Sequence, residues 1–372
     1  MSGSNPQHLA IDQPPNPDQW RQALLAWYDQ GHRLLPWRPP PGQGPGRVDP
    51  YAVLVSEAML QQTQVATVIP YFERFMAEFP TVADLAAADE QAVLAMWQGL
   101  GYYRRARSLH AAARAIVDRN AGRVPDNADD LLNLPGVGRY TAGAVASIAY
   151  DTPAPIVDGN VARVFARLVP ITDPIDKPDA QRRLWSLAAD YAHGPRPGDA
   201  NQALMELGAT VCTPRTPHCL TCPLRHHCQG VRTTNPESLP VKSPRRQPTA
   251  VTHDVLAVRD TDDRYLFTRR PDTGLWAGMW QLPTHETARV TPTWLRQTLG
   301  LPITAPRPLA ALPTFDHRTT HRLITFRIRT ARLKQETPTI APDAPPIEWR
   351  KLDQLADLPL ANPQKKIVAA LR

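Results

Sequence analysis

Apolar positions in the first 230 residues recur with a helical period. Val161, Val164, Phe165 and Leu168 fall at i, i+3, i+4 and i+7, which is one face of a helix. Similar spacing predicts helices over Gln19–Asp29, Asp89–Leu100, Arg105–Asp118, Ala128–Leu134 and Tyr140–Tyr150. A longer, mostly apolar helical pattern covers Tyr51–Phe79, interrupted at Pro70. Pro and Gly punctuate the joints, and nothing there alternates as a strand does. The period changes further on. Residues 252–258, 265–268 and 321–326 read as strands with turns between them, and 293–299 as a helix. Between the two regimes lies RTTNPESLPVKSPRRQP, which is Pro-rich, polar and basic. The expected organisation is multidomain: a disordered lead-in over 1–17, an all-α domain over 18–230, a linker over 231–248 and an α+β domain over 249–372.

The chain has 372 residues with 42% hydrophobic positions, enough for two separate cores. Its net charge of +7 suits a polyanionic partner, and the distribution sharpens this. From residue 231 onward there are 22 Lys and Arg against 13 Asp and Glu, and before it 20 against 22. Any grip on such a partner by the first domain must therefore draw on backbone donors and local geometry. No apolar run reaches the roughly 18 residues of a membrane span. The polar N-terminus lacks a secretory core, so no membrane partner and a cytoplasmic location are expected. Four cysteines in a reducing compartment call for something other than disulfides.

Cys212, Cys219, Cys222 and Cys228 all lie within residues 212–228, in the pattern C-x6-C-x2-C-x5-C. An all-Cys shell with one close pair and two outer members suits a 4Fe–4S cluster, one thiolate per iron. Zinc, with help from His218, His226 or His227, and free thiols are the alternatives on spacing alone. In Leu134-Pro-Gly-Val-Gly-Arg-Tyr140, Gly136, Val137 and Gly138 form a turn before a helix. Its outward N–H groups and the helix start make an anion site. The same turn could simply join two helices.

Two carboxylates complete the candidate chemistry. Asp158, in Ile156-Val-Asp-Gly-Asn-Val161, precedes a helix and could cap it, stabilise a developing cation, or both. Glu57 has Val53, Leu54 and Leu60, with Gln61, as helical neighbours. Burial there would raise its pKa and leave a proton to donate, whereas an ordinary helix Glu would be solvated.

The Cys spacing at the end of a helical domain resembles the cluster loop of the endonuclease III superfamily. The PGVG turn resembles its helix-hairpin-helix motif. Ser56-Glu-Ala-Met-Leu-Gln-Gln-Thr-Gln64, Leu34-Leu-Pro-Trp-Arg38 and Gly99-Leu-Gly-Tyr-Tyr-Arg-Arg-Ala-Arg107 resemble, more narrowly, the MutY-type adenine DNA glycosylases. The resemblance covers most of residues 18–230. It implies a base-excision repair enzyme that hydrolyses the N-glycosidic bond of adenine opposite 8-oxoguanine or guanine in double-stranded DNA. Glu57 would protonate adenine on its imidazole side, and Asp158 would stabilise the sugar cation or a covalent intermediate. Tyr140 and Asn160 would hold the acids and the attacking group, while Trp37, Arg38 and Glu206 line the pocket. Gln62, Thr63, Leu100 and Tyr102 would fill the gap and read the opposite base, although Leu100 and Tyr102 also suit ordinary core packing. Arg215 and Arg225, near the cluster loop, would face phosphates.

Bifunctional relatives carry a Schiff-base Lys where this chain has Tyr140, and Lys177 is the only Lys in its first 230 residues. A monofunctional enzyme is expected, acting as a monomer at the nucleoid of a bacterial cell. Gly274-Leu-Trp-Ala-Gly-Met-Trp-Gln-Leu-Pro283 resembles the family's C-terminal Nudix-like domain. Glu286 stands without the Glu cluster a Nudix hydrolase needs, so this domain is expected to bind rather than catalyse. Phe315, Asp316 and His317 fall where the family carries a lesion-reading loop, with Asp in place of the usual Ser.

Overall fold

The computed structural model describes residues 16–38, 48–244, 247–299, 307–333 and 346–372. The expected lead-in lies outside the described residues up to residue 15, as do residues 245 and 246 of the 231–248 stretch. The helices are α1 (Pro17–Gly31), α2 (Pro50–Leu60), α3 (Val65–Glu78), α4 (Val82–Ala87), α5 (Glu90–Trp97), α6 (Arg104–Asn120) and α7 (Ala128–Leu132). They continue with α8 (Arg139–Tyr150), α9 (Gly159–Leu168), α10 (Pro178–Ala192), α11 (Pro197–Thr210) and α12 (Gln229–Thr233). Then follow β1 (Thr249–Arg259), β2 (Tyr265–Arg269), β3 (Trp280–Gln281), β4 (Thr284–His285) and α13 (Pro292–Leu299). The last elements are β5 (Arg307–Arg318), β6 (Arg322–Arg332), β7 (Ile347–Arg350) and α14 (Asn362–Leu371). Two compact units result, each made of two stretches: Met1–Glu57 with Val124–Ser243, and Ala58–Arg123 with Pro244–Arg372. No helix among the described residues is long and apolar enough to cross a membrane.

The first unit is helical. Asn16 Oδ1 accepts from the Asp18 and Gln19 amides and Pro17 opens α1, the usual chemistry of a helix start. α8 and α9 are buried almost throughout and pack against α11. Gly208 of α11 lies so close to α9 that a Cβ there would sit 2.6 Å from Asn160 Cβ. Only glycine lets the two helices approach that closely. The chain after α12 stays on this unit: Arg167 Nε donates to Leu239 O at 2.9 Å and Ile175 N to Val241 O at 2.9 Å.

The second unit joins helices α3–α6 to a mixed seven-stranded sheet. The predicted interruption of Tyr51–Phe79 is real but misplaced. Pro70 lies inside α3, while the break falls at residues 61–64, where Gln62 adopts φ 58°. Proline at the sixth position of α3 forgoes one hydrogen bond, and a left-handed residue ends a helix outright. Within the sheet the order is β3-β2-β1-β6-β5, with β4 on β1 and β7 on β2. β1 runs parallel to β6 over its whole length, so successive side chains enter two cores. Val255 and Ala257 join the core that includes Ile367 and Val368 of α14. Leu256 and Val258 join the one that includes Leu295 and Leu299 of α13.

His253 on β1 is fully buried, with neither ring nitrogen hydrogen-bonded among the described residues. Its ring meets Phe326 and Trp276 edge to face. Burial pushes its pKa down to about 4, so it folds neutral. His253→Phe is therefore expected to raise stability by about 1 kcal/mol, the scale of an unsatisfied buried polar group. The unfolded chain protonates near 6.5 and the folded one near 4, so wild-type stability is lost as pH falls through that window. The variant's advantage should widen between pH 7 and 5 in parallel urea melts. A variant less stable at both pH values would mean the imidazole has a partner.

Candidate active site

Glu57 lies in the last part of α2 and is 4% exposed. Its helix is apolar on all sides, so the carboxyl has little water around it. Burial pushes its pKa up to about 7; Asp158 nearby adds to the rise, while the Tyr140 hydroxyl and Arg38 oppose it. Tyr140 follows the hairpin on α8, and its hydroxyl lies 3.2 Å from Met205 Sδ as well as bonding Glu57. Burial and the two carboxylates drive that phenol well above its ordinary range.

Asp158 caps α9. Its Oδ1 accepts from the Asn160 amide at 3.0 Å and the Val161 amide at 2.7 Å. Its Oδ2 accepts from Asn160 Nδ2 at 3.0 Å. The cap therefore fixes the carboxylate in one orientation, and the two readings of Asp158 are compatible. Asn160 is held in turn by Arg163, whose Nη2 donates to Asn160 Oδ1 at 2.8 Å and Gly208 O at 2.7 Å. Arg163 Nε reaches Cys212 O at 2.7 Å. Arg163 thus ties the aspartate's support to the cysteine segment. Sequence reasoning passed over it, because a buried Arg at that spacing looks like any helix Arg.

The stretch after α1 brings Trp37 and Arg38 to α11. Trp37 is buried. Glu206 accepts from Arg33 Nε at 2.7 Å and Arg38 Nη1 at 2.9 Å. Burial alone would raise the Glu206 pKa, but the two guanidiniums hold it below the usual carboxylate value. Arg38 Nε also donates to Gln202 Oε1 at 3.0 Å. Arg33 and Gln202 were not foreseen; the only sequence signal was their spacing from Trp37 and Glu206.

In the hairpin, Gly136 has φ 74°, open to glycine and strained for other residues. Gly138 caps α8 without a side-chain bond, and Gly136, Gly138 and Arg139 are exposed. The first amides of a helix have no partner within it, so an exposed helix start of this kind offers donors to an anion. Val137 closes the turn through Leu134 O at 3.2 Å.

The four cysteines are free and half-buried. Burial first, and then the proximity of the other sulfurs, raises the Cys222 and Cys228 thiols. Arg167 Nη1 donates to Cys212 Sγ at 3.3 Å, and Cys228 Sγ donates to Arg167 O at 3.3 Å. Among the described residues no three His, Cys, Asp or Glu side chains converge as ligands of one ion. Four cysteine thiols gathered within residues 212–228 are a donor set of the chemistry that metal centres take.

In the second unit, Gln62 and Tyr102 are both exposed and both left-handed, at φ 58° and 49°. Thr63 is half-buried and Leu100 buried. Phe315, Asp316 and His317 lie on β5, not in a loop, because their pairing with Phe326, Thr325 and Ile324 extends the sheet. Alternation along the strand separates their roles. Phe315 stacks on Phe326 and His317 packs beside Trp276, whereas Asp316 is exposed and accepts from Thr325 Oγ1 at 2.7 Å. The Tyr102 hydroxyl stands 3.5 Å from Thr320 Oγ1 in the turn after β5. Glu286 is taken by Arg270 at 2.6 Å and Arg322 at 3.3 Å.

Residues 55–190 match the HhH-GPD superfamily of base excision DNA repair proteins, and residues 254–370 match the NUDIX domain. A solved structure of a thermostable thymine-DNA glycosylase is similar over 58% of this chain and 96% of its own, at 27% identity and a TM-score of 0.50. The adenine DNA glycosylase of Rattus norvegicus is 36% identical, with 94% of this chain and 77% of the relative covered. That of Homo sapiens is 35% identical over 94% of this chain and 73% of its own length. That of Mycobacterium tuberculosis H37Rv is 45% identical over 54% of this chain and 64% of its own length. With a helical glycosylase domain, a Nudix-like sheet domain and relatives matched over nearly its whole length, the chain belongs to the adenine DNA glycosylases of the HhH-GPD superfamily.

Proposed function

We propose that this enzyme removes adenine from duplex DNA where it stands opposite 8-oxoguanine or guanine, and that it does so without cutting the strand. One observation carries the chemistry: Glu57 is buried enough to keep its proton near pH 7, beside an Asp158 carboxylate fixed by its own helix cap. A neutral acid and a carboxylate in one site divide the work of breaking an N-glycosidic bond. Adenine leaves the stack to reach them. Glu57 gives its proton to the imidazole-side ring nitrogen, so the base departs neutral. Asp158 stabilises the cationic sugar, or captures it briefly, until water adds to the anomeric carbon. Tyr140 and Asn160 hold these groups, and Trp37, Arg38 and Glu206 shape the base pocket. No Lys stands at the Tyr140 position to form a Schiff base.

Gly136, Val137 and Gly138 supply the phosphate seat. Gln62, Thr63, Leu100 and Tyr102 fill the gap and meet the opposite base. Asp316 would accept a hydrogen bond from the lesion's added ring N–H, a role supported by its being the exposed member of its strand triplet, while Phe315 and His317 hold the strand. The division into a catalytic domain over 18–230 and a lesion-binding domain over 249–372, a monomeric state and a cytoplasmic location belong to the same reading.

The test is adenine release from an adenine:8-oxoguanine duplex with enzyme in excess, quenched with or without hot alkali. Breaks after alkali only are expected. Breaks under both quenches would revive a lyase, and none under either would sink the reading.

Cys212, Cys219, Cys222 and Cys228 would hold a 4Fe–4S cluster. When bound it supplies a rigid frame for residues 212–228, which carry Arg215 and Arg225 toward phosphates. Cys222→Ser is expected to deplete iron and sulfide together and to weaken DNA binding about tenfold or more, as lost phosphate contacts do. One zinc per chain in the wild type, without sulfide, would refute the cluster.

A further inference from the structure

Arg105, in the first turn of α6, draws contacts from two separate chain segments. Its Nη1 donates to three carbonyls at the end of α2: Ala58 at 3.0 Å, Met59 at 2.7 Å and Gln61 at 2.6 Å. Its Nη2 donates to Thr63 Oγ1 at 3.2 Å, Leu100 O at 3.4 Å and Gly101 O at 3.2 Å. The guanidinium also lies 5.4 Å from the ring centres of both Trp97 and Tyr102. Its Nε is buried without a hydrogen-bond partner among the described residues, and no carboxylate figures among the groups that shift its charge equilibrium. Burial lowers its pKa to about 10, which still leaves it charged at neutral pH.

Those contacts fall on two loops. One ends α2 and carries Gln62 and Thr63; the other precedes α6 and carries Leu100 and Tyr102. A helix end leaves its last carbonyls unpaired, and a cation there is favoured. Each loop also holds an exposed non-glycine residue at positive φ, Gln62 and Tyr102. Such strain persists only where the surroundings over-determine it. A planar fork with fixed donor directions can do that for both loops at once, and a lysine's single ammonium cannot.

We propose that Arg105 is the positioning residue that sets the spacing of the two base-reading loops and thereby the enzyme's discrimination of the base opposite adenine. This rests on the role given above to Gln62, Thr63, Leu100 and Tyr102. Without the guanidinium, each loop relaxes on its own and the two sets of side chains lose their common register. Release of adenine opposite guanine, where less is read, suffers less than release opposite 8-oxoguanine.

The experiment measures single-turnover adenine release by full-length, cluster-loaded enzyme on duplexes with adenine opposite 8-oxoguanine and opposite guanine. Wild type, Arg105→Met and Arg105→Lys are compared. The ratio of the two rates is expected to fall about tenfold in Arg105→Met, the scale of a good base-edge contact. Arg105→Lys should recover less than half of that loss on a logarithmic scale. Equal losses on both duplexes, or full recovery with Lys, would overturn the proposal, since both mean a fold or charge effect. Should Arg105→Met fail to fold, Arg105→Lys carries the comparison alone, and an unchanged ratio overturns it. Affinity for duplexes holding a tetrahydrofuran abasic analogue opposite the same two bases gives the ratio without excision. A wild type that discriminates there yet releases no adenine would defeat the excision reading and leave the loop clasp open to the same variants.

Discussion

Glu57→Gln is expected to slow single-turnover adenine release by about 10²–10⁴-fold, the range a positioned general acid supplies. Gln keeps the shape and one hydrogen-bond donor but has no proton to give. Binding to an adenine:8-oxoguanine duplex should survive, because Glu57 faces the base rather than the backbone in this reading. The pH profile identifies the mechanism. With a carboxyl pKa of about 7, wild-type release should decline as pH rises through 7, while residual release by the variant loses that limb. A wild-type profile flat from pH 6 to 8.5 would show that Glu57 is not the proton donor.

The same substitution has a stability consequence of opposite sign. The carboxyl ionises near 4.5 in the unfolded chain and near 7 when folded, so the folded state binds the proton more tightly. Stability from this group is fully present below 4.5 and is lost as pH rises through 7. The ionised form then carries a penalty of about 3 kcal/mol, since one pKa unit is about 1.4 kcal/mol. Glu57→Gln removes that penalty, so the inactive variant should melt later than wild type at pH 8 and at nearly the same temperature at pH 4. Loss of activity with a gain in stability distinguishes an acid held for its chemistry from one held for packing.

Local chemistry made parts of the structure readable. The PGVG turn could be read because positive φ at residue 136 calls for glycine, and α9 because its apolar face repeats at helical spacing. β1, β2 and β6 are legible from their β-branched and aromatic residues. Other features depended on residues distant in sequence. The break at 61–64 has no Gly or Pro to mark it, and Arg105, more than 40 positions later, satisfies its carbonyls. The reading therefore placed the interruption at Pro70, the one visible helix breaker. Arg33 with Glu206, and Arg163 with Cys212, are partners separated by 173 and 49 positions. The family resemblance puts Phe315, Asp316 and His317 in a loop, whereas pairing with β6, which skips register between Leu312 and Phe315, makes them part of β5. The compact units also interleave two chain segments each, a division no composition shift could reveal.

Asp158→Asn is expected to slow adenine release by about 10²–10³-fold, the loss typical when one electrostatic support of a transition state is removed. Asn is as good an N-cap as Asp, and its carbonyl oxygen can still accept from the Asn160 and Val161 amides. α9 should therefore remain in place. What is lost is the negative charge that the proposed mechanism sets against the sugar cation, and with it the acceptor for Asn160 Nδ2, now 3.0 Å away. Asp158→Ala removes the charge and the cap together and should cost about 1 kcal/mol of stability on top of the catalytic loss. The pair of variants separates two roles that coincide in one side chain. Equal inactivity with unequal melting temperatures assigns catalysis to the charge. Activity in Asp158→Asn close to wild type, with only Asp158→Ala impaired, would reduce Asp158 to a helix cap and pass the cation's stabilisation to another group.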